Sequence, residues 1–151
     1  MSNTTMHARI TQSILGLALV SMSLFAANGA VAADALDPAK AGIPLYQGAK
    51  PDAATTEFVR SSLGVEGAAF RTTDALAKVA DFYGKQAGIK PMAEPTKDSA
   101  AFLAGCKDEY NEILKKNMSR CGYHVTVQNP WMDMKTGKMV NDTLITIVKQ
   151  E

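Results

Sequence analysis

The N-terminal segment limits most strongly what this chain can fold into, because it has the organisation of an export signal. The first nine residues contain the basic Arg9 and no acidic residue, and a largely apolar run follows over residues 10–27. Ala30 and Ala32 then supply the small side chains that signal peptidase requires one and three residues before its cut. We therefore predict a signal peptide over residues 1–32, cleaved after Ala32, with a cut one residue later as the alternative.

A membrane-spanning helix is the other interpretation of this segment, and it needs about 20 apolar residues. Polar side chains interrupt the run at Thr11, Gln12, Ser13, Ser21 and Ser23, which favours the signal peptide. The rest of the chain contains no comparable apolar stretch. We therefore expect a periplasmic protein with no stable membrane insertion after cleavage.

The residues beyond the predicted cut are enough for one domain, and their charges balance. Arg9 is the one basic residue of the 16 that lies in the signal, and all 15 acidic residues follow it. Nucleic-acid binding is typical of chains with a basic excess or stripe, so we expect no nucleic-acid partner. Residues 33–42 are rich in Ala and Asp and predict a flexible leader, followed by a single domain over residues 43–151.

Two cysteines, Cys106 and Cys121, lie in this domain. An even cysteine count in an exported chain is typical of a disulfide. A metal-binding or reactive pair would want a C-x-x-C spacing or neighbouring His and carboxylate residues, and the sequence shows neither. We predict a structural disulfide between these two residues.

Apolar residues at helical spacing predict three helices. The first covers residues 51–62 and precedes a strand at 65–71. The second is capped by Thr72 or Thr73, ends before Gly88 and has a buried face made of Leu76, Val79, Ala80, Tyr83 and Ala87. The third follows Asp98, with an apolar stripe of Phe102, Leu103, Cys106, Tyr110, Ile113 and Leu114. This third helix places Cys106 on an inward face.

The pattern changes to period two after Arg120, which predicts strands around 123–127 and 144–148. Asn129-Pro130 ends the first of them, and a long loop over 129–140 joins the two. The fold class that follows is α+β: a single small domain with helices packed on an antiparallel sheet. One helix-to-strand disulfide would tie the third helix to the strand after it.

Three segments resemble small exported bacterial proteins of unknown function. They are IPLYQGAK at 43–50, FRTTDALAKVADFYGKQAG at 70–88 and TLITIVK at 143–149. In those proteins a Pro-Tyr-Gly segment precedes a strand, a Thr- or Ser-capped helix containing Phe-Tyr, and a closing sheet. The resemblance implies a fold and a compartment, and it implies no activity. The cysteine pair and the loop NPWMDMKTGKM depart from the pattern.

The sequence offers no catalytic constellation and no cofactor motif, so we expect neither a catalytic site nor a bound cofactor. His124 is the only histidine beyond the signal, and no G-x-S-x-G or phosphate-binding pattern is present. Thioether and imidazole ligands suit Cu(I), which makes one set of residues candidate copper ligands: Met118, His124, Met132, Met134 and Met139. Methionine is also a common core filler.

The loop after Pro130 is the candidate partner-binding site, through Trp131, Met132 and Met134. Tryptophan is enriched in binding hot spots and methionine at adaptable surfaces, and we expect Trp131 to be partly exposed. The alternative places Trp131 in the core. The sequence thus favours a non-enzymatic binding or accessory module of the cell envelope, with a protein, peptide or glycan as partner. A periplasmic copper-binding protein is the alternative, and an enzyme comes third.

Overall fold

A computed structural model describes residues 35–150 of the chain. The predicted signal peptide, residues 1–32, lies outside the described residues. The elements in chain order are β1 (Lys50–Pro51), α1 (Ala53–Ser62), β2 (Gly67–Thr72), α2 (Leu76–Gly84), β3 (Ile89–Pro91), β4 (Ser99–Asn111), β5 (Lys116–Gln128), β6 (Trp131–Asp133), β7 (Lys138–Val140) and β8 (Thr143–Lys149). None of the helices in this range is long and apolar enough to cross a membrane.

Six strands form one antiparallel sheet in the order β1-β2-β8-β5-β4-β3, and β6 and β7 form a separate two-stranded hairpin. The closing strand β8 lies between β2 and β5, and four of its seven residues are buried. This confirms the α+β class and the antiparallel pairing of the two period-two strands.

The core lies between one face of the sheet and α2. Strand alternation places most of the buried residues of the four longest strands on this face, where they meet the apolar side of α2 and the segment before β1. The cluster contains Leu36, Ile43, Tyr46, Ala68, Phe70, Leu76, Val79, Ala80, Tyr83, Ile89, Ala100, Phe102, Ala104, Val125, Val127, Ile145 and Ile147.

Helix α1 packs beside β2, and a glycine permits the close approach. Asp52 caps the helix by accepting the N–H of Thr55 on its carboxylate at 2.8 Å. A Cβ at Gly67 would lie 2.7 Å from Val59 Cγ1 and 3.0 Å from Val148 Cγ1. Such distances are too short for a methyl group, so Gly67 lets Val59 bury itself against the sheet.

The helix predicted after Asp98 is wrong, because this segment is the 13-residue strand β4. Ala100, Phe102 and Ala104 alternate into the core, while Leu103 on the opposite face is only half-buried. A strand with apolar residues on both faces loses its period-two signal, and the alanines raise its helix propensity. Burial of alternate residues in the sheet outweighs that local preference.

The disulfide is present, but it joins two strands rather than a helix and a strand. Cys106 and Cys121 lie directly opposite each other in the β4–β5 ladder, with an S–S distance of 2.05 Å. The inward helical position predicted for Cys106 is therefore wrong, because the ladder places both cysteines at the start of an exposed part of the hairpin.

The predicted cap of the second helix also differs from the structure. Helix α2 begins at Leu76 after Ala75, which makes no side-chain cap, so Thr72 and Thr73 do not cap it. In the predicted leader, the N–H of Leu36 donates to Gly67 O at 3.2 Å and the Leu36 side chain joins the core. The flexibility of residues 33–42 stays a prediction.

Candidate interaction site

Trp131 lies at the start of the β6–β7 hairpin and is buried, with 5% of its surface exposed. It packs with Ala69 and Leu144 on the sheet face opposite α2, and with Val140, its partner across the hairpin. The expectation that Trp131 is partly exposed is wrong: its ring closes the second apolar cluster of the domain. Whether this loop contacts a partner stays a prediction.

An ionic network holds Trp131 in place. Its indole N–H donates to Asp142 Oδ1 at 2.7 Å, and the Arg71 guanidinium lies 5.2 Å from the ring centroid. Arg71 Nε donates to Asp142 Oδ2 at 2.9 Å and Arg71 Nη1 to Asp52 Oδ2 at 3.3 Å. These carboxylates, Asp142 foremost, raise the pKa of Arg71. The network ties β2, α1 and the hairpin together.

This network borders a cavity of about 330 Å³, lined by Gly48, Lys50, Pro51, Asp52, Arg71, Thr72, Thr73 and Asp142. The guanidinium of Arg71 is already hydrogen-bonded to both carboxylates. The two carboxylates also balance the charge of Arg71, which weakens the attraction of the cavity for an anionic ligand. We therefore assign the cavity a structural role.

A hydrogen-bonded tyrosine ties the first segment to the start of α2. Tyr46, itself buried, donates its hydroxyl proton to Asp74 Oδ2 at 2.6 Å, and Lys78 donates to the same oxygen at 3.1 Å. The Tyr46 hydrogen bond and then that of Lys78 lower the pKa of Asp74, and the Asp74 acceptor raises the pKa of Tyr46. Burial raises the pKa of the nearby Tyr83 to about 12. Both hydroxyls are held protonated at neutral pH.

The candidate copper ligands do not form one cluster. Met118 lies six residues before His124 on β5, about 20 Å along an extended strand. His124 pairs with Leu103 and Val148 in the middle of the sheet. Three methionines do gather at the β6–β7 hairpin, all with more than half of their surface exposed: Met132, Met134 and Met139.

Sequence reasoning missed a projecting, mostly exposed feature of the domain, the outer part of the β4–β5 hairpin. The ladder continues from Cys106↔Cys121 to Asn111↔Lys116, whereas β3 pairs with β4 only at residues 102–104 and β8 pairs with β5 only at 123–128. Residues 106–121, which we call the ribbon, therefore extend beyond the sheet. Five residue steps along its strands correspond to about 17 Å.

Both edges of the ribbon carry backbone groups without a neighbouring strand among the described residues. On the β5 side, the last backbone contact is the N–H of Gln150, which donates to Gly122 O at 2.8 Å. Open edges of this kind are templates for pairing with another chain. The ribbon thus presents two such edges.

Two facing glycines connect the ribbon to the sheet. Gly105 has a φ of 64°, and the register places it opposite Gly122. The ring of Tyr123 covers Gly105, with its Cδ2 atom 3.2 Å from the position of a Cβ. The cross-strand disulfide follows directly. The ribbon is therefore connected to the sheet through two glycines and is cross-linked at its base by the disulfide.

The tip of the ribbon, residues 112–115, displays two aliphatic side chains in a defined turn. Asn111 Oδ1 accepts the N–H groups of Ile113 at 3.0 Å and Leu114 at 2.8 Å. Lys115 closes the turn with a φ of 51°. Ile113 is 90% exposed and Leu114 is 54% exposed. The turn is thus held by its own polar groups while its apolar side chains contact solvent.

A pair of basic residues lies at the base of the ribbon, next to the disulfide. Lys107 and Arg120 lie directly opposite each other in the ladder, and neither forms an ion pair within residues 35–150. Like charges at directly opposed positions destabilise a ladder. Tyr110 and Met118, both more than 40% exposed, add apolar surface nearby. The ribbon combines an apolar tip, exposed backbone and mixed charge.

One signal in the sequence points to this hairpin. Gly105-Cys106 and Cys121-Gly122 are mirror images about the Ile113–Leu114 bond, the symmetry of a hairpin whose register pairs Cys with Cys. Asn111 is a typical turn residue at the end of one strand. The alanine-rich start and the helical spacing of apolar residues concealed this pattern.

Comparison with known proteins found no matching family model, no similar curated protein and no similar solved structure. The functional assignment therefore depends on the geometry of this chain.

Proposed function

We propose that the chain is an exported binding module of the cell envelope, which contacts a partner protein through the ribbon. The observation that carries the proposal is the tip itself. Ile113 and Leu114 are ordered by hydrogen bonds from their N–H groups to Asn111 and yet are exposed. Exposed aliphatic side chains on a defined projection are typical of an interaction site.

Export to the periplasm is supported by the N-terminal segment and by the disulfide. Disulfides persist in oxidising compartments and are rare in the cytosol. Cleavage after Ala32 would also retain Ala35 and Leu36, which contact Gly67. The predicted cut therefore retains every residue that the structure describes.

A protein is a better partner for the ribbon than a glycan. Glycan sites usually depend on aromatic faces and converging polar side chains, whereas the two residues at the tip are aliphatic. The open edges can each accept an extended strand of another chain through main-chain hydrogen bonds, while side-chain pockets supply specificity. In this arrangement, the tip would enter an apolar pocket, while Lys107 and Arg120 at the base of the ribbon would lie outside that pocket.

The test is a double substitution at the tip, Ile113→Ser with Leu114→Ser. We expect capture of the partner from envelope extract to fall at least tenfold. The melting temperature should change little, because exposed substitutions usually alter stability by less than about 0.5 kcal/mol.

Leu63→Ser is the matched control, since Leu63 is 58% exposed and lies at the end of α1, outside the ribbon. It should retain full capture. Unchanged capture by the tip variant, or an equal loss in both variants, would contradict the proposal.

A further inference from the structure

The β6–β7 hairpin presents two methionines side by side. Trp131 and Val140 form its first pair, and this pair packs against the domain. The next pair is Met132 and Met139, whose side chains point the other way because successive residues alternate. They are 53% and 55% exposed. Directly opposed Cβ atoms lie about 4.5–5.5 Å apart, close enough for both thioether sulfurs to reach one ion.

A third methionine follows in a turn of fixed geometry. Asp133 Oδ1 accepts the N–H of Lys135 at 2.8 Å, and Asp133 O accepts the N–H of Gly137 at 2.7 Å. These bonds hold the backbone around Met134, which is 57% exposed. Met134 also lines a groove of about 370 Å³ beside α1.

Packing does not account for these three side chains. Methionine usually fills irregular gaps in a core, and none of the three is buried. Neutral thioethers are soft ligands that select Cu(I) over harder divalent ions. The pair also offers no carboxylate or imidazole of its own, which a zinc site would favour.

We propose that the hairpin binds Cu(I) through the sulfurs of Met132 and Met139, with Met134 as a third ligand. The site is independent of the ribbon. Of the other candidate ligands, Met118 and His124 lie on β5 and take no part in it.

The test uses the oxidised mature protein in a competition for Cu(I) with the chromophoric chelator bicinchoninate. Ascorbate keeps the copper reduced, because a thiol would compete for the metal and would reduce the Cys106–Cys121 bond. We expect one equivalent of Cu(I) per chain. Met132→Leu and Met139→Leu should each weaken binding at least tenfold, and Met134→Leu should weaken it less.

Leucine has nearly the volume of methionine, so these variants should fold normally. Met92→Leu and Met118→Leu are the matched controls, since both methionines are exposed and lie elsewhere. They should bind as the unmodified protein does.

A second measurement is NMR of ¹³C-labelled methionine methyl groups with Ag(I), a redox-stable substitute for Cu(I). Shifts should be confined to the three methionines of the hairpin.

Failure to compete for Cu(I), or an equal loss of binding in the control variants, would overturn the proposal. So would methyl shifts spread over all the methionines. The tip substitutions Ile113→Ser and Leu114→Ser should leave copper binding intact, which separates this result from that of the partner-binding test.

Discussion

Arg71 and Asp142 fix Trp131 from two directions. The carboxylate accepts the indole N–H, and the guanidinium lies over the ring, while the apolar surface of Trp131 fills the space between Ala69 and Leu144. An aromatic side chain held in this way contributes to stability more than to an accessible surface.

Trp131→Ala should therefore destabilise the domain by about 3–5 kcal/mol, the usual cost of truncating a buried aromatic residue. Chemical denaturation monitored by circular dichroism measures this. Acrylamide should quench the tryptophan fluorescence of the native protein poorly. A variant that keeps its denaturation midpoint, or efficient quenching of the native protein, would show that Trp131 does not have this role.

The Asp74 carboxylate should make stability depend on acid pH. Hydrogen bonds from Tyr46 and Lys78 lower its pKa in the folded state, so its stabilising contribution is complete above the unfolded pKa of about 3.9. That contribution is lost as the pH falls through the lower, folded value. Asp74→Asn and Tyr46→Phe should each make the loss of stability below about pH 4 shallower.

Thermal melts between pH 7 and pH 2 would measure this dependence. If the melting temperatures of the two variants fell with decreasing pH as steeply as that of the unmodified protein, the assignment would be contradicted.

At the scale of elements, the spacing of apolar residues along the sequence predicted best the helix that buries one regular face, α2. Helix α1 ends at Ser62, as predicted. Strand β5 ends at Gln128, directly before the Asn129-Pro130 pair that was predicted to end it. Helix α2 buries Leu76, Val79, Ala80 and Tyr83 at the spacing that predicted it. Strand β4 was missed because its inner half is apolar on both faces and its outer half buries little, so neither half shows a clear alternation.

The ribbon should depend on its disulfide while the sheet does not. The bond closes a loop of residues that are mostly exposed, and β8 holds β5 independently through residues 123–128. Replacing Cys106 and Cys121 by Ser should speed amide hydrogen exchange in residues 107–120. Protection in β8 should be unchanged, since the core contacts of this strand remain.

Hydrogen exchange followed by mass spectrometry would resolve the two regions. Reduction of the unmodified protein should reproduce the pattern of the double variant. A uniform loss of protection across the sheet would instead show that the ribbon and the core unfold as one unit.

For the whole molecule, the sequence was sufficient to predict one α+β domain and the pairing of its cysteines. It was not sufficient to locate the candidate site. The position of the ribbon depends on which strands stop pairing and where, and this follows from the lengths of β3 and β8 relative to β4 and β5. Trp131 is held by Asp142, and Asp142 in turn binds Arg71, which lies 71 residues away in the sequence. A local pattern does not reveal such a contact.

The proposed division of the molecule is therefore a packed domain that carries a projecting ribbon. Site-specific photo-cross-linking in intact cells tests this most directly, with a photoreactive amino acid at Ile113 and, as the control, at Leu63. Both positions are more than half exposed, so chance encounters can label either of them. The account predicts a discrete cross-linked protein from position 113 that is missing from position 63. Cross-links of equal yield at both positions, or at position 63 alone, would contradict it.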